Sequence, residues 1–252
     1  MSIRVVGLNH RDAPVAVREG LAFRAGQLPD ALAALRRRDG VEGCAILSTC
    51  NRVEVYLHAG HGATDTLVRD FLAEFHGVWP QRFERYLYAH DGEAAVRHLF
   101  RVASGLDSLV VGEAQVTGQV RAAYEAAADE LVTDRLLHRL FQHALSAAKR
   151  VRTSTEIGAG RASVGSVAVE LAERIFESLV GRTVLVVGAG KMGERVLRSL
   201  RSAGADAILV ANRTFARAEA LAAECGGDAV RFDELAASLA GVPAASLRAA
   251  GD

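Results

Sequence analysis

The chain carries no excess of charge of either sign: 30 Lys and Arg stand against 30 Asp and Glu in 252 residues. That balance removes the overall basic field of many nucleic-acid-binding proteins and leaves room only for a local patch. Cysteine is scarce. Cys44, Cys50 and Cys225 are odd in number and irregular in spacing, which argues against a disulfide framework and for free thiols in a reducing compartment, the cytoplasm by default. Long apolar runs are missing as well. Arg4, His10, Arg11, Asp12, Arg18 and Glu19 interrupt residues 1–20 as a signal-peptide core, and no apolar stretch elsewhere approaches the roughly eighteen residues of a membrane span. Neither export nor membrane insertion is expected. What the chain does have is apolar content, 50% of its residues, enough over this length to bury the cores of two domains.

The first part alternates between strand and helix periods. IRVVGLN (3–9), CAILST (44–49), RVEVYLH (52–58) and ERYLYAH (84–90) read as strands, and QLPDALAALRRR (27–38) and ATDTLVRDFLAEFHG (63–77) as helices. The order β-α-β-β-α-β predicts a ferredoxin-like α+β domain with both helices on one face of an antiparallel sheet. From Asp91 to about Glu156 apolar residues recur at spacings of three and four, as in Leu99, Val102 and Leu106 or Leu137, Leu140 and Phe141. Extra helices are therefore expected to cover or extend that domain.

A glycine-rich stretch at 157–165 marks the expected boundary, giving a substrate domain over 1–157 and a second domain over 158–252. TVLVVGAG (183–190), KMGERVLRSLRSAG (191–204), AILVANR (207–213) and FARAEALAAECG (215–226) form a βαβα series, with a third strand and short helix in VRFDELAASL (230–239). The fold class expected is thus α/β: a ferredoxin-like domain with extra helices, then a Rossmann-type nucleotide domain.

Between the first strand and helix of the second domain, Gly188, Gly190 and Gly193 form G-x-G-x-x-G. In that setting the first glycine allows the tight turn, the second lets backbone approach a pyrophosphate, and the third lets helix and strand pack closely. Ala189, Lys191 and Met192 complete the loop at the positive end of the helix. About twenty residues on, where an acidic side chain would take the ribose 2′-hydroxyl of NAD, stand Asn212, Arg213 and Thr214. An arginine there suits a 2′-phosphate, so the expectation is NADP(H); the alternative is a solvated surface arginine.

Cys50 follows a buried strand and precedes Asn51 and Arg52. A free cysteine is more often an inert small hydrophobe than a nucleophile. Two features favour reactivity here: strand parity places Arg52 on the face of Cys50, where its charge favours a thiolate, and a thioester beside a reductase module accepts a hydride where a carboxylate does not. Cys44 reads as core, and Cys225 carries no assigned role.

GLNHRDAPVAVRE (7–19), STCNRVEVY (48–56), HLFRVASGLDSLVVGEAQVTGQV (98–120), AKRVRTSTEIG (148–158), SVGSVAVELA (163–172) and VLVVGAGKMGE (184–194) with its following ANRT resemble the glutamyl-tRNA reductases. The resemblance implies that Cys50 attacks the ester of glutamyl-tRNA(Glu), tRNA leaves, and NADPH reduces the thioester to glutamate-1-semialdehyde for tetrapyrrole synthesis, without metal or flavin. It also implies a glutamate pocket of Thr49, Asn51 and Arg52, with Arg52 pairing the substrate carboxylate, and a second stretch of Ser108, Glu113, Ala114, Gln115 and Gln119. His98 matches a histidine linked to activity; the alternative for a histidine on an apolar helical face is a hydrogen-bonded structural residue. Ala114 departs from the Glu-Pro-Gln usual at 113–115. The family is homodimeric and passes its aldehyde to an aminomutase. Its further strands and helical dimerisation domain have no counterpart before Asp252, and resemblance fades at about Leu239, so a shortened chain with an incomplete cofactor crevice is expected. The competing expectation is a non-reducing remnant that binds glutamyl-tRNA and at most hydrolyses the thioester. An ordinary dehydrogenase of the shikimate type leaves STCNR and GEAQVTGQV unexplained.

Overall fold

The computed structural model describes residues 2–61, 65–158, 164–205 and 207–235. The chain divides into two compact units, residues 1–160 and 161–252.

In the first unit, β1 (Ser2–Asn9) is followed by the short α1 (Val15–Gly20), α2 (Leu28–Arg36), β2 (Val41–Ser48), β3 (Arg52–Ala59), α3 (Asp65–His76) and β4 (Tyr88–Asp91). The strands pair antiparallel in the order β2-β3-β1-β4, which is the ferredoxin-like arrangement expected. Three helices follow: α4 (Gly92–Ala103), α5 (Ala114–Asp129) and α6 (Arg135–Ser154). The sulfur of Cys44 lies 3.7 Å from the Leu32 carbonyl of α2, so α2 covers the sheet face of Val53, Val55 and Leu57. The opposite face holds Tyr56, whose ring meets Phe141 of α6 at 5.5 Å. Both faces of β3 are therefore buried along its whole length. Each large side chain enclosed here, Phe71 or Phe141 for example, contributes about 1.5–3 kcal/mol through removal from water.

Two expectations change in detail. The fourth strand is shorter than ERYLYAH, because Glu84–Tyr86 forms a 3₁₀ turn before β4. The helical run after Asp91 is broken over residues 104–113, where Gly105 and Gly112 adopt φ of +75° and +86° and the Gly112 N–H donates to the Gly105 carbonyl at 3.0 Å. Only glycine adopts this left-handed backbone without steric cost.

The second unit contains α7 (Val164–Phe176), β5 (Thr183–Val187), α8 (Lys191–Ser202), β6 (Ala207–Ala211), α9 (Phe215–Cys225) and β7 (Asp228–Val230). Its strands are parallel in the order β5-β6-β7, the Rossmann-like pattern expected. Leu197, Ile208, Val210 and Ala218 lie at its core. The expected helix after β7 and the tail beyond it fall largely outside the described residues.

Candidate active site

Thr49, Cys50 and Asn51 form the connection between β2 and β3. The Thr49 hydroxyl oxygen accepts from the backbone N–H groups of Asn51 and Arg52, both at 3.1 Å, while the Thr49 N–H donates to the Arg52 carbonyl at 2.8 Å. A polar side chain that takes its own turn's amides holds the tip rigid. Arg18, buried in α1, reaches the Cys50 carbonyl with one terminal nitrogen and donates to Ala13 through Nε at 3.1 Å. Cys50 is thus exposed on a backbone fixed from two sides, whereas Cys44 is buried and its thiol is pushed up to about 12 by desolvation, with Arg36 opposing. Cys44 therefore stays a protonated thiol near neutral pH, and Cys50 is the one of the two that solvent and a ligand can reach.

Beneath the turn lies a network centred on Glu54, whose side chain is 0% exposed. Its carboxylate accepts from Arg52 at 2.7 Å, from the hydroxyls of Tyr56 and Tyr88 at 2.5 Å each, and from His98 Nε2 at 2.9 Å. Burial alone raises a carboxyl pKa, but the hydrogen bond from His98 and the charge of Arg52 outweigh it and hold Glu54 at about 2. Gly7 makes the space. It sits in register between Glu54 and Tyr88, and a Cβ there would lie 2.5 Å from the Val53 carbonyl oxygen and 2.8 Å from Glu54 Cγ.

Arg52 departs from its expected placement. Its terminal nitrogens go to Glu54 and to Asp107, the backbone carbonyl at 2.6 Å and the carboxylate at 3.1 Å, and its side chain is only 2% exposed. Cys50 belongs to the connection and not to the strand, so alternating parity does not place Arg52 under the thiol. A carboxylate clamp would also require breaking a buried pair. The accessible cation is Arg11, 54% exposed and tied to Asp107 at 2.8 Å. Beside it, His10 keeps a buried Nδ1 without a partner among the described residues. Burial and the charges of Arg52, Arg11 and Arg18, opposed by Asp107, lower the His10 pKa and favour its neutral form.

His98 is placed by the structure on Glu54, and no hydrogen bond joins it to Cys50 among the described residues. Through Asp107, Arg52 ties the 104–113 loop, and with it the half-buried Ser108, to the strand leading out of the Cys50 turn. Glu113 stands at the N-cap position of α5 without a side-chain hydrogen bond to the helix, and Gln115 and Gln119 follow half-buried and one turn apart. The side chains of Ala114 and Lys191 lie outside the described set.

In the second unit the glycine loop has the geometry of a phosphate cradle. Gly188 has φ +110°, Gly190 is the N-cap of α8, and a Cβ on Gly193 would lie 2.0 Å from the Gly188 carbonyl oxygen. Nothing lies within 4 Å of a Cβ built on Gly188 or Gly190, so the loop leaves open room beside free helix N–H groups. Gly188, Gly190, Met192 and Gly193 line a cavity of about 390 Å³. The Asn212 side chain accepts from the Ala189 N–H at 3.3 Å and donates to the Thr214 carbonyl at 2.9 Å, joining the two expected parts of the site. Arg213 and Thr214 are exposed beside it. These residues fit a nicotinamide dinucleotide.

Residues 6–155 match the family model described as glutamyl-tRNAGlu reductase, N-terminal domain. The chain belongs to the glutamyl-tRNA reductase family. Residues 170–244 match a second model, shikimate / quinate 5-dehydrogenase, in keeping with a dehydrogenase-type nucleotide unit. Similar proteins include the glutamyl-tRNA reductases of Heliobacterium mobile, 48% identical over 93% of this chain and 53% of the relative, and of Pelotomaculum thermopropionicum, 50% identical over the same shares. Among solved structures, glutamyl-tRNA reductase from Methanopyrus kandleri aligns with a TM-score of 0.58 at 44% identity, over 94% of this chain and 56% of that one. The chain spans about half the length of the curated relatives it matches. Among the described residues no helix is long and apolar enough to cross a membrane.

Sequence reasoning missed Glu54, Asp107, Arg18 and Arg11. The first stands out afterwards as a carboxylate on one strand face between Arg52 and Tyr56, but its other partners, Tyr88 and His98, are 34 and 44 residues away.

Proposed function

We propose that the chain takes the glutamyl group of glutamyl-tRNA(Glu) onto Cys50 and, with NADPH, releases it as glutamate-1-semialdehyde for tetrapyrrole synthesis. The observation that carries this reading is Cys50 itself: an exposed thiol on a turn fixed by Thr49 and Arg18, within the stretch that matches the family's N-terminal domain. The sulfur attacks the ester carbon, a C–S bond forms, and the C–O bond to the terminal ribose breaks with its oxygen taking up a proton. NADPH, when bound, supplies a hydride to the thioester carbon. Aldehyde and free thiol result.

The chain's own residues do the positioning. Arg11, the accessible cation at the site, pairs a carboxylate of the glutamyl group, and Asn51, Ser108, Glu113, Gln115 and Gln119 line its pocket. Thr49 keeps the thiol in line with the ester. His98 acts through Glu54 and is a positioning residue. In the second unit Gly188, Ala189, Gly190, Met192 and Gly193 receive the pyrophosphate, and Asn212, Arg213 and Thr214 the adenosine ribose with its 2′-phosphate.

The test supplies tRNA charged with radiolabelled glutamate. Without NADPH, label is expected on the chain in a hydroxylamine-labile bond and none on the Cys50→Ser variant; with NADPH, label is expected in the aldehyde. Consumption of the ester with label never reaching Cys50 overturns the acyl-transfer step, and free glutamate in place of aldehyde overturns the reduction.

A further inference from the structure

α6 is the longest helix among those described, and its inner side is ordinary core: Leu137, Leu140, Phe141, Ala144, Leu145 and Ala148 are buried. Its outer side is not ordinary. From 135 to 155 there are five Arg or Lys and no Asp or Glu, while the rest of the chain carries 25 basic residues against 30 acidic. Arg135, Arg139, Lys149 and Arg150 are exposed, and at 3.6 residues per turn they fall on one side of the helix over a length of about 22 Å. Among the described residues no carboxylate pairs with any of them. By contrast, Arg97 and Arg174 each find a glutamate one turn away on their own helix, at 2.6 and 2.5 Å.

Helix stability does not account for this pattern. Cations in the last turn are favoured by the helix dipole, but Arg135 stands at the opposite end, in a first turn that holds no acidic residue. Membrane binding does not account for it either, since the apolar side that an interfacial helix would insert is packed in the core. The stripe between the cations is filled by Gln142, His143, Ser146 and Thr153, which are polar, with the His143 imidazole as the single ring among them. Such a face reads a sugar-phosphate backbone by charge and hydrogen bonding, without sequence preference.

We propose that the outer face of α6 is the surface on which the chain docks the RNA backbone of its substrate. This rests on the glutamyl-tRNA reading for the identity of the RNA. With four phosphate contacts the affinity falls with salt at a log–log slope of about −3, from roughly 0.7–0.9 per contact.

The test compares the chain with its Arg139→Glu/Arg150→Glu and Arg139→Gln/Arg150→Gln variants, at positions exposed and without an ion-pair partner among the described residues, after circular dichroism confirms an unchanged fold. The probe is uncharged tRNA(Glu), measured by filter binding from low to high KCl. The charge-reversed variant is expected to bind at least thirtyfold more weakly with a slope shallower by about 2, and the neutral variant to fall between. Unchanged affinity and slope overturn the proposal, as does a loss confined to anionic vesicles with tRNA binding intact. Transfer of glutamate to Cys50 is followed in parallel. Weakened tRNA binding in a protein that never acylates Cys50 sinks the functional reading and leaves the surface; acylation with variant affinity unaltered does the reverse.

Discussion

Replacing Glu54 by Gln tests whether the buried network stands as described. Glu54 sits at about 2 against an ordinary value of 4.5, which corresponds to about 3 kcal/mol of stabilisation at 1.36 kcal/mol per unit. Because the folded value is the depressed one, this stabilisation is fully present above pH 4.5 and is lost as pH falls through about 2. Gln keeps the volume but removes the negative charge, puts an NH₂ group in place of one oxygen, facing either Tyr56 or the set of Arg52, Tyr88 and His98, and leaves the buried Arg52 charge with Asp107 as its remaining carboxylate, a loss of the same few kcal/mol. Urea unfolding at pH 6.5 should therefore show a midpoint lowered by about 1–3 M, taking m as 1–3 kcal/mol per M. The difference between wild type and variant should then shrink steadily between pH 4.5 and pH 2. All four tyrosines and the single tryptophan lie in the first unit, so their bands in near-ultraviolet circular dichroism follow that unit alone. A variant within about 0.5 kcal/mol of wild type at pH 6.5, or a difference that does not change with pH, refutes an ionised Glu54 held by these donors.

Iodoacetamide at pH 8 should modify Cys50 and leave Cys44, held at about 12 by burial, untouched until urea opens the first unit; mass spectrometry of the peptides checks this. Gly190→Ala should change the stability of the second unit by no more than about 1 kcal/mol, the usual range for a helix cap, because open space surrounds its Cβ position. NADPH affinity should nevertheless fall at least tenfold by fluorescence titration, as the methyl takes the pyrophosphate's room; equal affinity removes Gly190 from the site. Arg213→Asp should lower NADPH affinity by tenfold or more and leave NADH affinity within about twofold, since only the former presents a 2′-phosphate.

Strand and helix periods made both units legible in the sequence, down to the sheet order that the ferredoxin-like pattern implies. The polar alternation of RVEVYLH was legible too, yet its usual meaning is a strand with one face in water. Here α4, α5 and α6 cover that second face, so Arg52, Glu54 and Tyr56 are enclosed and pair with one another instead of with water. Periodicity within one strand cannot foresee such a lid. The pairing of Arg52 with Asp107 spans 55 residues and depends on a glycine-bent loop, which local patterns read as part of a helix. The tight turn of the glycine loop was readable because its geometry is local: Gly193 must meet the carbonyl five positions earlier, and both lie in one turn.

The close approach at Gly7 ties the first strand to the main chain of its neighbour. A methyl there would meet the Val53 carbonyl oxygen at 2.5 Å and the Glu54 Cα at 2.8 Å as well as the Glu54 Cγ. No exchange of side chain at position 54 makes that room, so alanine at 7 has to push β1 and β3 apart, and with them the carboxylate that Tyr88, His98 and Arg52 share. The smallest residue in the first strand thereby acts as a gauge that sets how closely the whole network is drawn together.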